Sequence, residues 1–219
     1  MRFRRWRESG SIKVNNAQEA RAAGFPFAPV SLWGAPFVRS EHALLITLSP
    51  LADADHEAVE ALLDAAFGAD RRGRTAYKLR AGMSVLPELS FAAWEEERLV
   101  GALQCWPIAL RHDQGETPLI LVGPVAVDPE RQQRGIGRAM MREMLTHVEG
   151  REPLVLIGDP EYYGRHFGFI SDQTLNWELP GPFEQRRLLA RTGGRDLSYR
   201  GMLGPRSIDR GLKQAGKTF

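Results

Sequence analysis

The chain has 219 residues, with 29 Lys and Arg against 27 Asp and Glu, a net charge of +2 and a single cysteine. That length suits one ordinary domain with tails, or two small ones, and 43% hydrophobic with 26% charged residues is the profile of a globular soluble protein. The basic residues are scattered, which argues against a nucleic-acid or membrane footprint, and one cysteine excludes an internal disulfide framework and a cysteine-based zinc site.

Residues 1–42 mix Arg, Gly, Pro and Ala without periodicity and read as an irregular extension. The segment starts basic (RFRRWR) but has no continuous apolar run, so it is not read as a secretory signal. An organelle-targeting segment, an N-terminal arm and residues upstream of the true start all stay open. Nowhere is there an apolar run long enough for a transmembrane helix. Cysteine usage suits a reducing compartment, so a cytoplasmic location is expected.

From Ala43 the pattern sharpens. ALLITLSP (43–50) reads as a buried strand ended by a turn. Asp53 and Asp55 are candidate N-caps for a helix over 56–67, where Val59, Leu62, Leu63, Ala66 and Phe67 recur at helical spacing. RRGRTAYKLR (71–80) suggests a second short helix; its charges are compatible with an acidic acceptor or with solvent, and the solvated reading is preferred. LSFAAWE (89–95) and LVGALQCWPIAL (99–110) form a predicted hairpin across Glu96–Arg98, and PLILVGPVAV (118–127) follows a polar turn. A helix beginning near Arg134, a strand PLVLIG (153–158), a short helix and a strand TLNWEL (174–179) complete the order. This is an α/β arrangement with a mixed sheet, and 118–158 is a strand–helix–strand crossover. Beyond Gly193 a Gly- and Arg-rich tail is expected. The boundaries read as an extension over 1–42, one domain over 43–192 and a tail over 193–219.

The helix after Asp128-Pro129 has an ordinary apolar face of Ile136, Met140, Met141, Met144, Leu145 and Val148. Its start is not ordinary. Gly135 and Gly137 stand where alanine would be more stable by roughly 1 kcal/mol each. Glycine allows a ligand close to the backbone. A helix N-terminus also offers free N–H groups and the positive end of the dipole, which favour a phosphate. Arg134 and Arg138 add positive charge.

Here the chain resembles the GCN5-related N-acetyltransferase (GNAT) superfamily, in the YhbS-like subgroup of predicted bacterial N-acetyltransferases. The superfamily signature Gln/Arg-x-x-Gly-x-Gly/Ala follows a strand ending Val-x-Pro. In this chain Val127-Asp128-Pro129 leads into Gln132-Gln133-Arg134-Gly135-Ile136-Gly137. The resemblance extends over most of 43–190. It implies a GNAT fold, a mostly antiparallel mixed sheet flanked by helices with splayed fourth and fifth strands. It also implies that backbone N–H groups from Gln132 through Arg138 cradle the pyrophosphate of acetyl-CoA. Gly123-Pro124 interrupts the 118–127 strand, where proline removes a donor unless a bulge is present. In the superfamily that strand is bulged and the pantetheine arm enters the gap beside it. On that pattern Val125 and Val127 offer backbone groups to the pantetheine amides, and an N–H at Val125 or Ala126 polarises the thioester carbonyl.

GDPEYYGRHFGF (158–169) resembles the segment after the fifth strand, where a tyrosine protonates the departing thiolate. Tyr163 is the first choice and Tyr162 the second, since His166 is an extra residue before Phe-Gly-Phe. Glu88 is a candidate general base, with a water-mediated base as the alternative. A dinucleotide site built on Gly135-x-Gly137 and Asp159 fits poorly, because Met140 occupies the third glycine position. Cys105 reads as core, and the five histidines show no ligand spacing, so no metal is expected. The expected activity is N-acetyl transfer to a primary amine of a small molecule or peptide, with a non-catalytic acyl-CoA-binding module as the alternative. Superfamily habit makes a homodimer an open option.

Overall fold

The computed structural model describes residues 45–148 and 151–207; the expected extension over 1–42 lies outside the described residues. Strand β1 (Ile46–Pro50) is followed by helix α1 (His56–Phe67) and a short helix α2 (Thr75–Leu79). Three strands β2 (Phe91–Glu95), β3 (Arg98–His112) and β4 (Gly115–Val127) precede helix α3 (Ile136–Thr146) and strand β5 (Leu154–Ile157). Helix α4 (Pro160–Phe167) and strands β6 (Asn176–Glu178), β7 (Leu188–Arg191) and β8 (Arg200–Pro205) complete the described chain. Among the described residues no helix is long and apolar enough to cross a membrane.

Helix α1 follows from its sequence. Asp55 accepts the Ala58 N–H at 3.0 Å, the helix closes at Gly68, and the buried residues Val59, Leu62 and Leu63 form the expected stripe. The sheet runs β1-β2-β3-β4-β5-β7 and is mixed and mostly antiparallel; β4 and β5 are parallel neighbours joined through α3. Strand β3 is long enough to hold two partners on one edge. Residues 98–103 pair with β2, and residues 108–111 pair with β8, which in turn carries β6. The segment after Gly193 is therefore not simply a tail: its Arg200–Pro205 stretch completes the sheet. Strand β7, which residue pattern alone did not suggest, pairs with all of β5.

The two faces of β4 show why the domain needs Gly123-Pro124. Before that dipeptide, Ile120 and Val122 face the core beneath α3, while Leu119 and Leu121 face the other side. After it, Val125 and Val127 face α3, and Ala126 packs against α1. Side chains alternate along a strand, so even positions can hand over to odd ones only across one extra residue. The register agrees: Leu103 pairs with Val125 but Cys105 with Val122, leaving one residue of β3 opposite two of β4. The proline marks the expected bulge.

Cys105 is 0% exposed in the core of β3, and burial pushes its thiol pKa up. An inert thiol is the consequence. Native protein is expected to leave an aromatic disulfide reagent unreacted, and one thiol per chain should appear only in denaturant. A fast-reacting native thiol would show that β3 opens.

The expectation of a solvated basic segment holds for Arg72, Arg74 and Lys78 but fails for Arg71 and Arg80, which are 2% and 6% exposed. Arg71 stitches α1 to α2. Its Nε donates to Asp64 and its Nη2 to Glu60, both at 2.6 Å, and its Nη1 donates to the Tyr77 hydroxyl. A buried charge with this many partners is satisfied.

Candidate active site

The turn before α3 is built without a side-chain cap. Asp128, at the end of β4, caps only the preceding 3-10 turn by accepting the Glu130 N–H, and Arg98 holds its carboxylate at 2.8 Å. The chain then passes Gln133 at φ 68 and Gly135 at φ 82 before entering the helix. Gly135 is the left-handed N-cap rather than a residue of the first turn, and no side chain caps α3 there. By contrast, Asp55 caps α1 and Asp159 caps α4. Among the described residues the first N–H groups of α3 thus lack the carboxylate that α1 and α4 have, as do those of the one-turn α2, and for the longer α3 this suits an external anion.

Gly135 is required by its positive φ. Gly137 is not required by the fold. A Cβ there would meet Val127 Cγ2 at 3.6 Å and Val125 Cγ1 at 3.8 Å, which is ordinary contact. Packing therefore gives no reason for glycine at 137. What its missing side chain leaves free is a cleft of ≈ 220 Å³ lined by Val125, Val127, Gln132, Tyr162 and Tyr163.

That cleft borders a larger cavity of ≈ 1130 Å³ where β4 and β5 part. The two strands pair only at Ile120–Leu154 and Leu121–Val155, and beyond them Val122–Val125 and Leu156–Asp159 face each other across open space. Val125 and Tyr163 line both spaces and mark their junction. The Tyr163 ring packs against Gly158, where a Cβ would come within 2.4 Å of its Cε2. Burial pushes the Tyr163 phenol up to about 12, with the neighbouring Tyr162 adding to the shift. Tyr162 is 36% exposed and lines only the smaller cleft, packed edge-on to Tyr163 and to His166. His166 does not displace Tyr163. It occupies the outer face of α4, while Tyr163 packs towards Phe167 and Phe169.

The structure thus gathers Val125, Val127, Gln132, Gly137, Tyr162 and Tyr163. Ala126 turns its side chain to the opposite face, Ile136 is core, and Gln133 is exposed. Arg134 is held by Glu95 at 3.4 Å, and Arg138 lies beside Gly135. Glu88 is not brought to this cleft: Arg151, beyond the far end of α3, holds its carboxylate at 2.8 Å. Asp159, the acid of the dinucleotide alternative, spends its carboxylate on the Glu161 and Tyr162 N–H groups. Among the described residues no cluster of His, Cys, Asp and Glu could hold a metal.

Residue pattern missed a third space, ≈ 600 Å³, on the α1 and α2 side of the sheet. Arg80 and Tyr77 line both it and the cavity between β4 and β5. The only hint was one aromatic, Tyr77, three residues before Arg80 in TAYKLR, a spacing that stacks them on one helix face.

Residues 47–169, more than half of the chain, match the family model of the acetyltransferase (GNAT) domain. The chain belongs to the GNAT acetyltransferase family. A similar curated protein, the uncharacterized N-acetyltransferase YjhQ of Escherichia coli (strain K12), is 27% identical over 103 residues, 46% of this chain and 57% of that protein. The GNAT chain therefore spans little more than half the length of this relative. Two solved structures share its fold. A GNAT family acetyltransferase from Brucella melitensis in complex with acetyl-CoA has a TM-score of 0.52 at 24% identity, covering 74% of this chain and 96% of that one. YhbS from Escherichia coli in complex with CoA has a TM-score of 0.55 at 23% identity, covering 74% and 89%. The splayed β4 and β5 and the glycine turn into α3 are where the GNAT resemblance required them.

Proposed function

We propose that the protein transfers the acetyl group of acetyl-CoA directly to a primary amine of a small molecule or peptide. The observation that carries this reading is one continuous path. It runs from the uncapped start of α3, past the unfilled position of Gly137, to the gap between β4 and β5, with Tyr163 at the junction. The backbone of Gln132–Arg138 would hold the pyrophosphate, with Arg138 adding charge. Backbone groups of Val125 and Val127 would hold the pantetheine arm as an added strand. Two proteins of the same fold, from Brucella and Escherichia, are in complex with acetyl-CoA and CoA, which supports a CoA ligand for this chain.

Bound acetyl-CoA supplies an acetyl thioester; the chain supplies position and protons. A backbone N–H at Val125 or Ala126 polarises the thioester carbonyl. The acceptor amine must shed a proton before it attacks. Glu60 lines the acceptor-side cavity but is a poor base: burial raises its pKa, and Arg71 and Arg72 outweigh that, holding it below the usual carboxylate value. Glu88 is turned away. Water in the open cavity is left to accept the proton. On the other side Tyr163, protonated at neutral pH, donates its hydroxyl proton to the departing sulfur.

Calorimetric titration with acetyl-CoA, followed by thiol-release assays over a panel of amines, tests the reading. Micromolar binding with amine-dependent thiol release is expected. Binding without release on any amine would make the protein an acyl-CoA-binding module, and no binding by folded protein would overturn the proposal.

A further inference from the structure

Arg80 is a buried charge that has no carboxylate partner among the described residues. It closes α2, and its guanidinium is stacked 4.0 Å from the centre of the Tyr77 ring and 4.5 Å from that of Trp106. Its Nη1 donates to the Gly123 carbonyl at 3.1 Å and Tyr77 is a second side-chain hydrogen-bond partner, but among the described residues it has no ion pair. A guanidinium has five N–H donors and does not lose its charge, so most of its capacity is free. Arg71, buried to a similar degree nearby, shows the contrast. Two carboxylates and a phenol surround it, and Glu60 is committed to it and to Arg72. A second donor is open as well: among the described residues the buried Trp106 Nε1 has no acceptor. Both side chains line the ≈ 600 Å³ cavity, whose other walls include Leu51, Val59, Met83 and Val85.

We propose that the acceptor amine carries a carboxylate, bound by Arg80 with Trp106 Nε1 as a second donor, and an apolar body lying against the α1 side of this cavity. The inference rests on the acetyltransferase reading above and names its substrate class, an amino-acid-like amine. The chemistry is that of desolvated charge. A buried cation without a counter-ion is costly, and a carboxylate matches the guanidinium fork. A simple alkylammonium would add a second positive charge beside Arg80, whereas a zwitterion brings its own compensation. Position supports the same end. Arg80 is bonded to the first residue of the β4 bulge, so a group held there lies beside the strand from which the thioester is to be polarised.

The test uses binding rather than turnover. Wild type, Arg80→Met and Arg80→Lys are titrated in the presence of CoA with matched pairs, leucine against isopentylamine and phenylalanine against phenethylamine. The carboxylate member of a pair is expected to bind wild type about 10- to 100-fold more tightly, the size of a charge-assisted contact. The preference should vanish in Arg80→Met and survive in part in Arg80→Lys. Acetyl-CoA affinity should stay at the wild-type level in both variants, which also reports that they are folded. Equal or better binding by the plain amines, or no binding by any member of either pair, overturns the proposal. So does a loss of acetyl-CoA affinity in Arg80→Met, which would assign the guanidinium to the cosubstrate. Failure of wild type itself to bind acetyl-CoA would instead strike the reading beneath.

Discussion

Gly137→Glu is expected to give a folded protein that no longer binds acetyl-CoA at useful concentration. A Cβ fits there in ordinary contact, its nearest atoms being the methyls of Val127 and Val125 at 3.6 and 3.8 Å, and the cleft borders it. Replacing glycine inside a helix improves propensity by roughly 0.5–1 kcal/mol, and an acidic residue suits the first turn. Thermal stability should therefore hold or rise. Binding should collapse, because a carboxylate about 4 Å from a phosphate costs about 4 kcal/mol at an effective dielectric near 20. Solvent in an open cleft screens part of that, so about a hundredfold loss is expected. Calorimetry and a melting curve on the same sample measure both quantities. Gly137→Ala is the control, as the GNAT signature accepts alanine there, and it should be more stable with affinity largely intact. Undiminished binding by the glutamate variant would remove the phosphate cradle from α3. Gly135 is the worse position to test, because any side chain at φ 82 strains the backbone and confounds the two effects.

Tyr163→Phe is expected to lower kcat by about a hundredfold or more, the usual scale of a positioned proton donor, with acetyl-CoA affinity unchanged. The ring makes its contacts with Gly158, Phe167 and Phe169 through carbon, so phenylalanine preserves the packing and deletes only the hydroxyl. Tyr162→Phe should be nearly silent, since that ring is more exposed and borders only the smaller cleft. The pH profile adds a check. Burial moves the Tyr163 phenol up to about 12, so its protonated, donating form persists below that value and is lost only as pH rises through it. No alkaline decline from this group is expected at pH about 10, where an ordinary tyrosine would be half ionised. Wild-type turnover by Tyr163→Phe would assign the proton to another donor, and a reversed ranking of the two variants would give the role to Tyr162.

The parts of the molecule that were legible in sequence share a physical property: their signals are local. Asp55 followed by Val59, Leu62 and Leu63 is a cap and a stripe within one helix, and the observed bounds of α1 are those expected. Proline at 124 within an apolar run announces a bulge, because the missing N–H and the break in alternation are properties of that strand alone. What was not legible depends on distant partners. Strand β7 is four residues, Leu-Leu-Ala-Arg, in an arginine-rich stretch and is held by β5. Strand β8 contains two glycines and a proline, which read as breakers, and owes its extended form to β3 and β6. Arg71 and Arg80 look in sequence like their exposed neighbours Arg72 and Arg74; only the packing of α1, α2 and Trp106 separates them. At the site, the glycine turn was visible, whereas the reorientation of Glu88 towards Arg151 was not.

The placement of β8 also bears on how the domain is made. The outer half of β3, with Ile108 and Leu110 fully buried in the finished protein, meets its edge partner only through residues 202–205. On a ribosome, nearly a hundred residues are synthesised between the two. Until then an apolar ribbon of unpaired N–H and C=O groups stands open, in the very strand that also carries β2 and β4. The gap proposed for acetyl-CoA is lined from Phe67 to Arg187, so all of its walls also precede that closure in synthesis. A nascent chain can therefore assemble its cosubstrate half while its sheet edge is still bare, and bound cosubstrate would hold that half together through the interval.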